Sequence, residues 1–415
     1  MKVHFIGIGG IGVSAIARMM LGEGNPPVGG VSGSDASPSP ITAELTKLGA
    51  KIFVGQKAEN ISADCDLVIH TIAIPETNPE LRRARELGIK TQTYPEFLGQ
   101  LSREKFTIAV AGTHGKTTTT AMIAKILLDA GFDPTVIVGS LLKETQSNFI
   151  AGKSKYLVVE ACEYRRSFLN LWPKILVITN IDNDHLDYYL DMSDIHKAFA
   201  ELAAKVPADG KVITAKEYEQ VPVDFKLKVP GAHNVQNAQA ALAVATAVGI
   251  ERSLAVKALE EFAGTWRRFE FKGKTPSTSL GAGGVLVYDD YAHHPTAIRA
   301  TLKAARELAG EKKVIVVFQP HLYSRTKHSF ADFATSFGDA NLVIVAPIYA
   351  AREPFDPSVD SEKLAEAINQ QSQNAIYLAN FTEMKQKILA TAKADDLVFT
   401  MGAGDIYHLA DDLLK

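Results

Sequence analysis

The stretch FTIAVAGTHGKTTTT, residues 106–120, decides the fold. Its apolar, β-branched run from Thr107 to Ala111 predicts a buried parallel strand, which breaks at Gly112 and gives way to a helical pattern from Thr117 to Ala130. A strand, a glycine loop and a helix start in this order form a phosphate cradle. Gly112 and Gly115, with Thr113 and His114 between them, let backbone N–H groups approach anionic oxygens, and the helix N-terminus adds partial positive charge. Lys116 can reach β and γ phosphates, Thr117 supplies a hydroxyl for Mg²⁺, and Thr118 closes the set of ATP-binding candidates here. Val110 stands where the full consensus has a glycine. A plain glycine–threonine helix cap would account for the turn, but not for a Lys-Thr pair at the strand–helix junction.

Upstream, Lys2 to Ile8 predicts a strand, followed by GIGGIG (Gly7 to Gly12) and a helical run through Leu21. This spacing brings a diphosphate against a helix N-terminus. Gly9, Gly10, Ile11 and Gly12 are the candidate contacts, and Asp35 follows the expected second strand. The geometry recognises a diphosphate with a ribose, so a UDP-sugar satisfies it as well as a dinucleotide does. A second unit carries the apolar run Asp66 to Ile74, containing Thr71, and a helix from Pro79 to Leu87; Thr93 to Arg103 is expected to be the exit into a linker.

Downstream, strands are expected at Lys155 to Glu160 and Lys174 to Thr179, each ending in ionisable or polar residues. In an open parallel sheet ligands bind beyond the carboxyl ends of the strands, so Glu160, Asn180, Asp184 and His185 belong on the edge that carries Lys116 and Thr117. A carboxylate and an imidazole facing a triphosphate point to metal ligation, with Thr117 on one Mg²⁺ ion and Glu160 and His185 on another. From Gly231 an Ala-rich helix begins, with Asn234 and Asn237 near its first turn, and GTWRRFE supplies Arg267 and Arg268 for phosphate or carboxylate contact. A third α/β unit follows the glycine-rich stretch 276–284. Its strands run into DDYAHHP, QPHLYSRTKHSF, APIY and MGAGDI, so polar clusters again sit at strand ends.

Composition narrows the class. At 415 residues the chain exceeds one ordinary core, and 46% hydrophobic with 22% charged residues is a globular balance. The 44 Lys and Arg against 47 Asp and Glu give no broad basic surface, which argues against nucleic acid as a partner. Two cysteines make no disulfide framework, and neither a signal segment nor a membrane-length apolar run is expected. The expectation is a cytoplasmic protein with no membrane partner, a monomer or a weak homodimer.

Taken in order across nearly the whole chain, GIGGIG, AGTHGKTTT, VVEACEYRRSF, TNIDNDHLDYY, GAHNVQNAQAA, RRFE, YDDYAHHP, FQPHLYSRT and MGAGDI resemble the Mur ligases. The resemblance implies an α/β protein of three domains: a Rossmann-like UDP-sugar domain (1–103), a central P-loop ATPase-like domain with a parallel sheet (104–267), and a C-terminal Rossmann-like domain (268–415). It implies ATP-dependent ligation of L-alanine to the lactyl carboxylate of UDP-N-acetylmuramate, with Mg²⁺, or Mn²⁺ in its stead. Residue by residue, Lys116, Glu160, His185 and His293 become catalytic, with Thr117, Glu160 and His185 on metal. Asn234 and Asn237 become adenine contacts, Asp290 a ribose contact, and Arg268 part of the ATP site. Gly9, Gly10, Ile11, Gly12, Asp35 and Thr71 hold the UDP-sugar, and Tyr291, His293 and Arg325 the amino acid. Many relatives read EADESD where this chain has EACEYR, and a second arginine where it has Leu322. The rival readings are a ligase that recycles a murein tripeptide, a folylpolyglutamate synthetase, an ATP-driven switch, and, on GIGGIG alone, an NAD-type oxidoreductase on a nucleotide sugar.

Overall fold

The structure, a computed structural model, describes residues 1–22, 29–185, 188–276, 283–351 and 353–415. Three open sheets follow one another along the chain. The first holds β1 (Lys2–Ile6), β2 (Gly30–Asp35), β3 (Lys51–Val54), β4 (Leu67–His70) and β5 (Lys90–Thr93), all parallel, in the order β3-β2-β1-β4-β5. The order turns back at β1, so the GIGGIG loop after β1 lies at the switch point, where an open α/β sheet takes its ligand.

The second sheet comprises β6 (Phe106–Ala111), β7 (Thr135–Leu142), β8 (Ser147–Ile150), β9 (Tyr156–Glu160), β10 (Ile175–Ile178) and β11 (Lys211–Ile213), in the order β11-β10-β6-β9-β7-β8. Only β8 runs antiparallel to its neighbour. Buried on both faces, β6 needs the continuous apolar run that the sequence supplies. Its register with β9 and β10, Val110 beside Glu160 and Ala111 beside Ile178, delivers the loops after all three strands to one edge.

The third sheet contains β12 (Glu270–Lys274), β13 (Leu286–Asp290), β14 (Val314–Phe318), β15 (Leu342–Val345), β16 (Ala375–Tyr377) and β17 (Leu397–Met401), in the order β12-β13-β17-β14-β15-β16. Here β12 alone is antiparallel. With β13, β17 and β14 adjacent and parallel, DDYAHHP, MGAGD and QPHLYSR leave the same edge. Most of the glycine-rich stretch before β13, residues 277–282, lies outside the described residues.

Contacts divide the chain into two compact units, one of residues 1–226 with 236–262 and one of 227–235 with 263–415. The first unit contains the first two sheets, and one apolar core spans both, from Phe5 and Ile16 through Leu98 to Phe149, Phe168 and Phe199. The segment Thr93 to Arg103 is no linker. It forms the helix Tyr94–Glu104, because Thr93 and Glu96 make a capping box, Pro95 fits the first turn, and Pro95, Leu98, Gly99 and Ser102 are buried. The apolar run 66–74 yields a strand only over Leu67–His70, and the other expected strand edges move by one or two residues. No helix among the described residues is long and apolar enough to cross a membrane.

Candidate functional site

The phosphate loop is held from behind by the end of β10. Thr113 and His114 donate their backbone N–H groups to Asn180, to its carbonyl at 3.0 Å and its side-chain oxygen at 2.9 Å, while Thr179 donates its hydroxyl to the His114 carbonyl at 2.6 Å. Thr113 accepts from the Asp182 amide at 2.8 Å, and the His114 ring meets the Asp182 carboxylate at 3.2 Å. Gly112 has φ +137° and an added Cβ would lie 2.0 Å from Thr179 Oγ1, so no larger residue fits there. Asn180, expected on the ligand edge, therefore sets the shape of the loop. Gly115, at φ +81°, caps the helix Lys116–Asp129 and leaves the first helical amides facing the loop mouth.

Lys116 points into this mouth and meets a residue that the sequence reading did not select. Its Nζ donates to the carbonyls of Gly112 and Thr113, at 2.5 and 3.0 Å, and to Glu163 at 3.0 Å, with the other Glu163 oxygen at 2.9 Å. Glu163 is buried. Its backbone carbonyl accepts from Tyr189 Oη at 2.5 Å, and His185 Nε2 lies 3.5 Å from its carboxylate. Burial alone would lower the Lys116 pKa, but the acidic groups around it, Glu163 foremost and with Cys162 and Glu160, together outweigh it and raise the value. For Glu163 burial works upward, and Lys116 and His185 together overcome it and hold the carboxyl below its usual range. The signal was present in the quoted EACEY, where a second carboxylate follows Glu160 by three residues.

Thr117 and Glu160 form the second half of the mouth. The hydroxyl donates to Glu160 Oε1 at 3.0 Å, and Glu160 Oε2 accepts from the Gly139 amide at 2.7 Å. The pairing differs from the expected one: Glu160 stands with Thr117, and His185 stands with Glu163. His185 occupies left-handed backbone, φ +59°, which non-glycine residues adopt only where their surroundings enforce it. Hydroxyl, carboxylate and imidazole donors of this kind suit Mg²⁺ or Mn²⁺. Asn237 packs on the loop from its own helix. Its Oδ1 accepts from Thr119 at 3.1 Å and would lie 2.5 Å from a Cβ on Gly115, so it buttresses the cradle.

At the N-terminal turn, Gly10 N–H closes onto the Gly7 carbonyl at 3.1 Å and the helix Ile11–Met20 begins. Asp35 does reach this turn, through its carboxylate on the Gly9 amide at 2.8 Å; a Cβ on Gly9 would collide with that carboxylate and with Thr42. Thr71 packs its methyl group on Gly7, and the Tyr94 ring closes over Gly12.

In the second unit the strand-end clusters meet as the topology requires. His293 Nδ1 lies 2.8 Å from the Tyr291 carbonyl, and its ring faces His321 with centroids 5.9 Å apart. His321 stacks on Tyr349 and meets Arg325 Nη1 at 3.3 Å. Arg325, His293 and Tyr291 thus form one cluster joined by His321, which the sequence reading quoted but did not select. Leu322, at φ +69°, is buried with its amide on the Tyr349 carbonyl at 2.9 Å.

Two expectations change here. Arg267 is a core residue, not a ligand arm: it is buried against Asp289 at 2.7 Å and donates to the carbonyls of Gly402 and Gly404. Asp290 holds the backbone amides of Phe269 and Ala292, both at 2.7 Å, so a ribose would have to share those oxygens. Arg268 lies over the Tyr291 ring at 5.1 Å. Asn234 donates to the Pro230 carbonyl at 2.7 Å, a local brace where its helix begins.

Residues 2–106 match the Mur ligase family catalytic domain, 110–221 the Mur ligase middle domain, and 267–404 the Mur ligase glutamate ligase domain. The chain is 41% identical to the UDP-N-acetylmuramate–L-alanine ligase of Clostridium tetani, covering all of this chain and 98% of that one. It is 40% identical to the enzyme of the same name from Agathobacter rectalis, covering 100% and 97%. Among solved structures it is similar to the UDP-N-acetylmuramate-alanine ligase of Thermotoga maritima, with TM-score 0.84, 31% identity, and coverage of 100% and 98%. A murein peptide ligase from Psychrobacter arcticus shares the fold at TM-score 0.70 and 24% identity, covering 100% and 98%.

Proposed function

This chain belongs to the Mur ligase family, and from that premise we propose that it joins L-alanine to the lactyl carboxylate of UDP-N-acetylmuramate at the expense of ATP. One observation carries the reading: a phosphate-loop lysine and threonine meet two carboxylates at the end of the neighbouring strand, Lys116 with Glu163 and Thr117 with Glu160. A lysine held this way is positioned for a highly anionic substrate.

Carboxylate and amine do not condense at neutral pH, so the carboxylate must first become an acyl phosphate. A lactyl oxygen attacks the γ-phosphorus, the bond to the β-bridging oxygen breaks, and ADP leaves. Lys116 offsets the charge of two anions brought together. Magnesium, when bound, would add to that offset and orient the γ-phosphate, with Thr117, Glu160 and His185 as its holders. The alanine amine then attacks the acyl carbon, the tetrahedral adduct collapses, and phosphate departs with the carbon–nitrogen bond formed. In this reading Arg325 clamps the alanine carboxylate, and Tyr291 and His293 orient its amine. Asn234, Asn237, Arg268 and Asp290 serve the nucleotide, and Gly9, Gly10, Ile11, Gly12 and Thr71 the UDP-sugar.

The test is phosphate release from ATP with UDP-N-acetylmuramate and a panel of amines: L-alanine, glycine, L-serine and the murein tripeptide. Release that needs both acceptor and L-alanine supports the reading. Preference for the tripeptide would assign the recycling reaction instead, and release without an amine would leave an ATP-driven switch.

A further inference from the structure

Two and three residues beyond Glu163 the backbone does something unusual. Arg165 and Arg166 follow one another in left-handed conformation, φ/ψ 50°/33° and 54°/24°, which non-glycine residues rarely adopt even singly. The two side chains then part. Arg166 is answered by acids, Asp194 at 2.6 Å and Glu201 at 3.4 Å. Arg165 is exposed, donates Nη1 to the Ile72 carbonyl at 3.0 Å and lies over the Tyr164 ring at 5.6 Å. No carboxylate among the described residues pairs with it.

Its position gives that charge a use. Ile72 follows Thr71, whose methyl group packs on Gly7 of the N-terminal turn. On the other side the Tyr164 ring stands 4.9 Å from that of His185, which faces Glu163 and through it Lys116. A guanidinium therefore stands on the wall that runs from the diphosphate turn to the phosphate-loop lysine, both within the first unit. Any acceptor with its diphosphate at the turn and its carboxylate at Lys116 must pass along this wall.

We propose that Arg165 binds the acceptor, its free guanidinium N–H groups taking an oxyanion of the UDP-sugar, either a diphosphate oxygen or the lactyl carboxylate. The assignment rests on the function proposed above. With one Nη on the Ile72 carbonyl the fork is already oriented, so the oxyanion meets a preset donor. The left-handed pair of residues turns Arg165 toward the first sheet while Arg166 turns to its acids.

The full chain, without ATP, is titrated calorimetrically with UDP and with UDP-N-acetylmuramate. Arg165→Gln should weaken UDP-N-acetylmuramate by about tenfold or more, the range for a hydrogen bond to a charged group. Arg165→Lys should restore part of the loss, and affinity for a non-hydrolysable ATP analogue should not move. Equal loss for UDP assigns the diphosphate; UDP binding unchanged assigns the carboxylate. Arg165→Gly removes the side chain and relieves the backbone, so its Tm should hold or rise while acceptor affinity falls, which separates binding from folding. Wild-type affinity in the glutamine variant overturns the assignment, as does a parallel loss for the ATP analogue. A wild-type chain that binds neither UDP compound overturns the acceptor reading, and this assignment with it.

Discussion

The two glycine turns of the first unit look alike in sequence and are loaded in opposite ways. At GIGGIG an internal anion occupies a backbone donor, Asp35 on the Gly9 amide; at GTHGKT an internal anion occupies a side-chain cation, Glu163 on Lys116. Asp35 is partly exposed and holds the backbone amides of Gly9 and Ala36, whereas Glu163 is buried and its backbone is tied down by Tyr189. A carboxylate at a phosphate site is thus replaceable in the first turn and part of the architecture in the second. The difference also fits the tasks proposed for them: the first turn would bind an anion, and the second would keep a charged lysine aligned while bonds change.

The comparison breaks most visibly at Lys116. If this ammonium is the charge that the reaction needs, Lys116→Ala should lower ATP-dependent phosphate release by about 10³-fold, the scale for losing a preorganised electrostatic donor. UDP-N-acetylmuramate binding, which we assign chiefly to the other turn, should be nearly unchanged by calorimetry. Near-normal turnover would mean that the loop is only a helix cap.

Glu163 tests the claim that the second turn's anion is architectural. Glu163→Ala strands a buried ammonium and should cost about 3 kcal/mol of stability. The pH dependence carries the same signature. Because the Glu163 pKa is depressed in the native state, its contribution is present above about pH 4.5 and is lost as pH falls through the lowered native value. The variant's Tm should therefore fall less than that of the wild type on going from pH 5 to pH 3. Equal acid sensitivity in the two would place the stabilising contact elsewhere.

In the first turn the glycine itself matters more than the acid. Gly9→Ala places a methyl group against the Asp35 carboxylate and Thr42, so the KM for UDP-N-acetylmuramate should rise about tenfold, some 1.4 kcal/mol, with the KM for ATP unmoved. Matching rises in both constants would show that the turn is not specific to the acceptor.

What was legible in the chain follows from these contacts. Strand, loop and helix order is written locally, in apolar runs, glycines and caps, so the three sheets and the edge that carries Lys116 and Thr117 could be read directly. The pairing of carboxylates was not, because it depends on chain segments far apart. Lys116 and Glu163 lie 47 residues apart and Gly9 and Asp35 lie 26 apart, and only the register of β9 beside β6 and of β2 beside β1 brings them together. Arg267 misled for the same reason: an Arg pair looks like a phosphate clamp until Asp289 and two carbonyls turn one member inward. The left-handed backbone at Arg165 and Arg166 has no signature in composition, since neither is a residue type that favours it.

The smallest predicted effect is the sharpest, because the two readings of Asp35 differ in sign. As a sequence element at the end of β2, Asp35 is expected to contact the UDP-sugar, and removing its charge would weaken the acceptor. In the structure one oxygen takes the Gly9 amide at 2.8 Å and the other the Ala36 amide at 2.8 Å, so the carboxylate sits where it repels an incoming diphosphate. Asp35→Asn keeps an oxygen for Gly9 and discards the charge. At a partly exposed site such repulsion is worth about 0.5–1 kcal/mol, so affinity for UDP should rise about two- to fivefold in low salt, and the gain should shrink as salt screens the charge. A salt-insensitive loss of affinity would restore the role of a UDP-sugar contact. In that case the two turns would differ in more than their load: one would use its acid on the ligand, and the other would use its acid on itself.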